Sequence, residues 1–332
     1  MRGFVDLQVN GFVGVDFSAP GLTLDDVLMV ARELKSRGTQ AFCPTIITSP
    51  LDTYEENLPI LAEAHFHPEC GKLLLGIHLE GPFISALDGA RGAHPLKSVR
   101  LPDVPLFEKL LDWSQEKVSL ITLAPELPGA LSLIERATDL GVTVSLGHHL
   151  SDSDQIRDAV KAGASASTHL GNGLPNQLPR HPNPLWPQIA NSQLSAMLIT
   201  DGHHIPEDFI KTVIRAKSVD KIIVVSDSAP IAGFKPGRYR TLGQEVLLEA
   251  TGRLWNPAGN HLVGSSASML DCMNHLASFS LLSETELWRV GRDNPLQLIG
   301  RSLDQMDNES SVEYVDNRFR IKSISWNSQE LK

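Results

Sequence analysis

The sequence predicts an α/β fold, a TIM-like (β/α)8 barrel with a small C-terminal extension. Three observations predict it. Eight short apolar runs read as strands, helical patterns fill the intervals between them, and several runs end in a carboxylate or an imidazole. Strands alternating with helices favour βαβ units and a parallel sheet, and polar residues at C-terminal strand tips are how such a barrel builds a catalytic mouth. A length of 332 residues suits one barrel with appended elements.

In chain order the strands are Phe4–Asn10, Gln40–Ile47, Leu73–Glu80, Val118–Ala124, Val142–His148, Ala164–Leu170, Leu194–Asp201 and Ile222–Asp227. Between them Leu24–Arg37 reads as a helix that opens after Thr23, with Asp26 completing a capping box and Gly38 closing it. Leu51–His65, Leu106–Trp113, Ala130–Leu140, Ser153–Ala162 and Pro206–Ala216 follow, with Gly141 and Gly163 as stops. The segment Gly171–Pro187 carries five prolines and predicts little regular structure. After Asp227 the pattern changes. Tyr239–Gly264 reads as short extended pieces joined by Gly-rich turns, Ser266–Phe279 as a helix capped at Ser265 or Ser266, and Glu284–Val290 and Pro295–Ile299 as two more. Ser311–Trp326 alternates like one or two strands, so residues 1–300 are expected to form the barrel with post-barrel helices and residues 301–332 a segment packing on it.

Composition bounds the function. The chain is 42% hydrophobic and 20% charged with a net charge of −10, which argues against nucleic acid or an anionic membrane as partner. No run approaches the roughly 20 apolar residues that span a bilayer. Cys43, Cys70 and Cys272 form no ligand pattern, and the N-terminal MRGFVDLQVNG enters a strand without a leader-like apolar region, so a cytoplasmic protein is expected. The chain carries no GxGxxG, no GxxxxGK[ST] and no HExxH, which leaves nucleotide chemistry without support.

Glu80, His148 and His169 end the third, fifth and sixth runs, and Asp227 ends the eighth. Each alone has a plain structural reading. Glu80 and Asp227 could cap helices or anchor loops, and strand-end histidines are commonly satisfied core residues. Together they predict more. Two imidazoles and a carboxylate can hold a divalent metal and leave a position open for water. Asp227 could then take a proton from that water and return it to a leaving nitrogen. His203 and His204 in ITDGHHIP and His94 in GAH could contact a polyhydroxy ligand, and Arg180 in LPRHPNP is a fork-shaped anion donor in an acidic protein.

These residues sit in stretches that resemble the N-acetylglucosamine-6-phosphate deacetylase family of the metal-dependent amidohydrolase superfamily. The matching stretches are FVDLQVNGFVGVDF, GIHLEGPFIS, GARGAH, TLAPE, SLGHH, STHLGNG, ITDGHHI, VVSDSAPIAG and VGSSASM, in family order over roughly residues 3–270. The resemblance implies an amidohydrolase-type barrel that releases acetate from N-acetylglucosamine-6-phosphate. It implies metal ligands at Glu80, His148 and His169, a catalytic acid–base at Asp227, and sugar contacts at His204 and His94. It puts Asn172 and Gly173 near the phosphate, and Arg180 where the family's phosphate-binding arginine reaches into the neighbouring subunit, which implies a homodimer. Gln8-x-Asn10 stands where many superfamily members have H-x-H for a second metal. Neutral amides are poor ligands there, so one ion per subunit is expected, with zinc suited to the donors and iron, cobalt or manganese also accommodated.

The chain also departs from the pattern. The family usually opens with strands of a β-sandwich, whereas a barrel strand begins here at Phe4, and its G-x-I-x-x-G-x-x-A-D signature is not recognisable. Gly171 replaces an aromatic residue, Gly173–Leu174 replace Ala–Met, His149 replaces Ser or Thr, and Ser228 replaces Ala. Two rival readings therefore stand beside the deacetylase: a deacylase or cyclic amidohydrolase for another amide, and a non-catalytic sugar-binding barrel.

Overall fold

The computed structural model describes residues 3–303 and 312–322. Its centre is a sheet of eight parallel strands in sequential order. They are β1 (Phe4–Val9), β2 (Thr39–Ile47), β3 (Ile77–Glu80), β4 (Val118–Leu123), β5 (Thr143–Leu146), β6 (Ala166–Ser167), β7 (Ser195–Ile199) and β8 (Ile222–Val225). The sheet closes through a parallel bridge between Val9 and Ser228 and a bond from Asn10 N to Ser228 O of 3.0 Å. This is the expected barrel. The helices α1 (Leu24–Ser36), α2 (Leu51–Ala64), α3 (Val104–Trp113), α4 (Ala130–Asp139), α5 (Ser153–Ala162), α6 (Leu185–Ala190) and α7 (Glu207–Lys217) fall in the intervals between strands. Helix α1 shows the physical basis: Val27, Leu28, Val30, Ala31 and Leu34 form a buried stripe at helical spacing. Thr23 and Asp26 make the expected reciprocal cap.

Several boundaries differ from expectation. Strand β6 contracts to two residues, and β3 starts at Ile77 because Gly71–Leu73 forms a 3-10 turn. Helix α3 starts two residues early because Asp103 caps it through Leu106 N. Helix α6 rises inside the proline-rich segment expected to be irregular, where its buried Gln188 donates to Pro184 O at 2.8 Å.

Beyond the barrel, the extended pieces pair as an antiparallel sheet of β9 (Gly237–Thr241), β10 (Gln244–Leu248), β11 (Leu254–Asn256) and β12 (His261–Leu262). Leu242 and Gly243, at φ 48° and 73°, make the two-residue turn that joins the first pair. Helix α8 (Met269–Ser278) is capped by Ser268 with Asp271, two or three residues beyond the expected Ser265 or Ser266. Helices α9 (Glu284–Trp288) and α10 (Asn294–Leu298) are joined by a π-type turn at Arg289–Asp293. The tail forms a hairpin of β13 (Val312–Val315) and β14 (Arg318–Ile321) over an Asp316–Asn317 turn, both at positive φ. The rest of the expected FRIKSISW strand, residues 323–326, lies outside the described residues. Phe319 of the hairpin is buried edge-on against Phe4 and Trp288, which ties this segment to the N-terminal end of the barrel.

The barrel interior is layered. An apolar floor of Val5, Leu7, Cys43, Leu120, Met197, Ile223 and Val225 lies below. Above it His78 Nε2 meets Thr122 Oγ1 at 2.8 Å, Thr122 meets Thr168 at 2.7 Å, and Thr168 meets Ser145 at 2.6 Å. These hydroxyls satisfy one another, so this polar layer is buried with its groups paired beneath the rim formed by the C-terminal strand ends.

Candidate metal centre and active site

The four residues singled out at the strand tips meet at one rim. Glu80 is the last residue of β3. His148, His169 and Asp227 each stand two residues beyond the last residue of their strands, at φ 54°, 31° and 51°. Left-handed backbone is uncommon for such residues and costs of order 1–3 kcal/mol, which marks these tips as shaped for a purpose. The turn at His148 depends on the glycine before it. A Cβ on Gly147 would stand 2.7 Å from Thr122 Cγ2 and 2.9 Å from Thr168 Cβ. No helix follows Asp227 or Glu80 directly, which removes the helix-cap readings of both.

Glu80 Oε1, His148 Nε2 and His169 Nε2 form a nearly equilateral triangle with sides of 3.0, 2.9 and 3.0 Å. All three residues are buried. His148 Nδ1 lies 2.9 Å from Ala90 O, so it must donate there, which leaves the neutral ring's lone pair on Nε2. That lone pair then faces a carboxylate oxygen and a second ring nitrogen. Three electron-rich atoms this close need a cation among them. Donors about 2.0–2.1 Å from a tetrahedral zinc stand about 3.3 Å apart, so the triangle fits a metal after an expansion of a few tenths of an ångström. The three residues are the described group able to hold one. Burial alone would raise the Glu80 carboxyl, but the closeness of His148 and His169 outweighs it and holds it well below its ordinary value. Burial works against protonating His169, yet contact with Glu80 raises its pKa. His169 Nδ1 has no partner among the described residues.

Asp227 stands beside this triangle. Its Oδ1 accepts from Gln8 Nε2 at 2.9 Å and from Asn10 Nδ2 at 2.7 Å, while Oδ2 accepts nothing among the described residues. Gln8 Nε2 also donates to Glu80 Oε1 at 3.0 Å. Gln8 and Asn10 thus brace the two carboxylates through their amide hydrogens. Burial, and then the charge of Glu80, push the Asp227 carboxyl up to about 6. A carboxyl poised there can exchange protons near neutrality.

The site opens into a cavity of about 570 Å³. His94, Asn172, Gly173 and His204 line it; Arg180 is exposed and does not. Thr48 N donates to His94 Nδ1 at 3.3 Å, which leaves Nε2 to carry the ring's proton, and burial holds this imidazole well below its ordinary value. His204 Nδ1 meets Asp201 Oδ2 at 2.8 Å, and Asp201 Oδ1 accepts from the backbone of His203 and His204. Asp201 therefore fixes the ring with Nε2 free for the cavity. Burial would raise its carboxyl, but the contact with His204 holds it below the usual carboxylate range. Sequence reasoning passed over Asp201, although an aspartate three residues before a strand-tip histidine is a visible signal. It also missed Leu242, Arg253, Asn260 and His261, which line the cavity from β9–β12 and their turns.

No protein-family model matches the chain. An N-acetylglucosamine-6-phosphate deacetylase from Bos taurus is 36% identical over 310 residues, covering 90% of this chain and 74% of its own length. An N-acetylgalactosamine-6-phosphate deacetylase from Escherichia coli O157:H7 is 30% identical over 301 residues, covering 90% and 77%. Among solved structures, a mutant N-acetyl-D-glucosamine-6-phosphate deacetylase from Mycobacterium smegmatis, in complex with N-acetyl-D-glucosamine-6-phosphate, superposes with a TM-score of 0.83 at 26% identity, covering 90% of this chain and 77% of that one. With the barrel and its rim, this likeness over nine-tenths of the sequence shows that the chain belongs to the N-acetylglucosamine-6-phosphate deacetylase family.

Proposed function

We propose that the protein hydrolyses the acetamide of N-acetylglucosamine-6-phosphate to glucosamine-6-phosphate and acetate. The observation that carries this reading is the triangle of Glu80, His148 and His169 with Asp227 beside it, in a chain of this family. One divalent ion, with zinc the best match to two imidazoles and a carboxylate, would be held there, where it would acidify a water and polarise the acetamide carbonyl. Gln8 and Asn10 offer amide hydrogens to carboxylates rather than ligands to a second ion.

Asp227 Oδ2, free of other bonds, takes the water's proton as the water attacks the acetyl carbon. The same carboxyl then gives a proton to the departing amine. His204, whose Nδ1–H is held by Asp201, offers the lone pair of Nε2 to a sugar hydroxyl, and His94 offers its Nε2–H to the oxyanion from the opposite loop. Asn172 and Gly173 border the phosphate, Arg180 serves the neighbouring site of a homodimer, and the enzyme works in the cytoplasm. Among the described residues no helix is long and apolar enough to cross a membrane.

The test is acetate release from N-acetylglucosamine-6-phosphate with metal content measured on the same sample. About one equivalent of metal and phosphate-dependent turnover are expected. A fully metal-loaded protein that releases no acetate from this sugar would sink the reading. The relative that acts on the galacto epimer favours a second substrate, N-acetylgalactosamine-6-phosphate. The same assay with that sugar separates the two.

A further inference from the structure

We propose that Thr122, on strand β4, which supplies no metal donor, is a positioning residue that sets the spacing of Glu80, His148 and His169. The inference rests on the metal part of the reading above, not on the substrate, and names a residue for it. Strand β4 lies between β3, which ends in Glu80, and β5, which leads to His148. The stretch TLAPE, one of those that mark the resemblance, places no donor in the triangle. Thr122 opens that stretch and is buried. It pairs in register with Glu80 on one side and with Ser145 on the other, and its carbonyl accepts from Gly81 N at 3.0 Å.

The side chain of Thr122 meets a neighbour of each ligand. Its hydroxyl lies 2.8 Å from Nε2 of His78, which shares a strand face with Glu80. It lies 2.7 Å from Oγ1 of Thr168, the residue before His169. Its methyl covers Gly147, the residue before His148, where a Cβ would stand 2.7 Å away. The hydrogen bonds run one way. Thr45 Oγ1 gives its hydrogen to Cys43 O at 3.2 Å, so toward His78 Nδ1, 3.4 Å away, it can only accept. The His78 ring proton therefore sits on Nδ1, and Nε2 accepts from Thr122. Thr122 must then accept from Thr168, and Thr168 from Ser145 at 2.6 Å. A valine at this position would fill the same space, but it would leave His78 Nε2 without a donor and Thr168 without an acceptor in a buried layer. The strands would shift to relieve that, and the metal donor at each tip would move with them. Donor sets tolerate displacements of only about 0.5 Å, so the shift is read as lost affinity for the ion.

The test uses the full chain with Thr122→Val and Thr122→Ser, and with Phe319→Ala as a control for stability lost at the far end of the barrel. Two readouts that need no turnover are taken: Zn²⁺ affinity by chelator competition, and the visible absorption of the Co²⁺-loaded protein, which reports the symmetry of the donors. Thr122→Val is expected to weaken Zn²⁺ binding about 10–100-fold, the range for groups that orient metal ligands, and to change the Co²⁺ bands. Thr122→Ser keeps the hydroxyl and should recover most of the affinity, and Phe319→Ala should bind like the parent. If Thr122→Val folds poorly, Thr168→Val breaks the next bond of the chain and is expected to show the same loss. Parent-like affinity and bands in the valine variant overturn the inference. So does an equal loss in Thr122→Ser or Phe319→Ala, or a parent that binds no metal. If the parent binds metal and releases no acetate while valine still weakens the ion, the deacetylase reading fails and this one stands.

Discussion

Asp227→Asn separates the proposed proton transfer from scaffolding, because the two fall on different oxygens of this side chain. Both accepted hydrogen bonds, from Gln8 and Asn10, reach Oδ1. An asparagine keeps that oxygen and replaces only Oδ2, so the brace across the rim survives. Proton transfer does not, and kcat should fall about 10²–10⁴-fold with KM little changed. Stability should move the other way. In the metal-free protein the Asp227 carboxyl is raised from 3.8 to about 6, chiefly by burial and then by Glu80. A raised carboxyl favours the folded state fully below the unfolded pKa, and that contribution is lost as pH rises through the folded one. The loss between about pH 4 and pH 6 comes to about 3 kcal/mol, 1.36 kcal/mol for each unit. Asparagine has nothing to ionise. Chelated Asp227→Asn should therefore melt higher than the chelated parent at pH 7.5, with the gap closing near pH 4. Steady-state kinetics and melting curves at the two pH values test both halves. Turnover within tenfold of the parent would refute the proton-transfer role, and a variant less stable by more than 2 kcal/mol would refute the division of labour between the oxygens.

Three further outcomes follow from the same geometry. Asp201→Asn turns an acceptor for His204 Nδ1–H into a donor, so kcat/KM should fall about 10–100-fold with metal content unchanged; loss of metal instead would mean that the pair props up the triangle. Phe319→Ala removes a buried ring packed against Phe4 and Trp288 at the far end of the barrel, and should cost about 3–5 kcal/mol in urea melts while kcat stays within twofold. Chelation should lower Tm and speed amide exchange in β1 and β8 ahead of β4 and β5, since a cation at the triangle offsets the charge of Glu80 beside Asp227; uniform exchange across the barrel would count against that link.

The barrel was legible because parallel strands buried on both faces read as continuous apolar runs, and helices such as α1 read as stripes between a capping Thr23 and a closing Gly38. The group able to hold a metal was legible because carboxylate and imidazole end those runs. Three features escaped for physical reasons. The left-handed turns fall on the histidines and the aspartate themselves rather than on glycine, so the strands were read two or three residues too long. Helix α6 is short and proline-flanked, and propensity argues against it. The cavity wall from β9–β12 comes from strands of two to five residues, whose pairing is set by contacts distant in sequence rather than by any local pattern.

The seam where the barrel closes explains why catalytic and structural roles cannot be fully separated in this fold. Strands β8 and β1 share a parallel bridge at Val9 and Ser228, and much of the remaining connection is made by side chains. Asp6 accepts from Ser226 N at 3.1 Å and Ser226 Oγ at 2.5 Å, Gln8 and Asn10 reach Asp227, and Ser228 Oγ donates to Gly11 O at 3.1 Å. Burial pushes the Asp6 carboxyl up to about 7 even though these bonds oppose the shift. Below the rim, then, a carboxyl that is easily neutralised ties the two strands together. At the rim, burial and then the charge of Glu80 push the Asp227 carboxyl up, while Glu80's own charge is drawn into the triangle. The seam is a descending series of acids, one that ties the strands together and the next beside the candidate metal centre. What distinguishes them is the neighbour each one faces: serine donors for Asp6, and a charged, metal-competent carboxylate for Asp227.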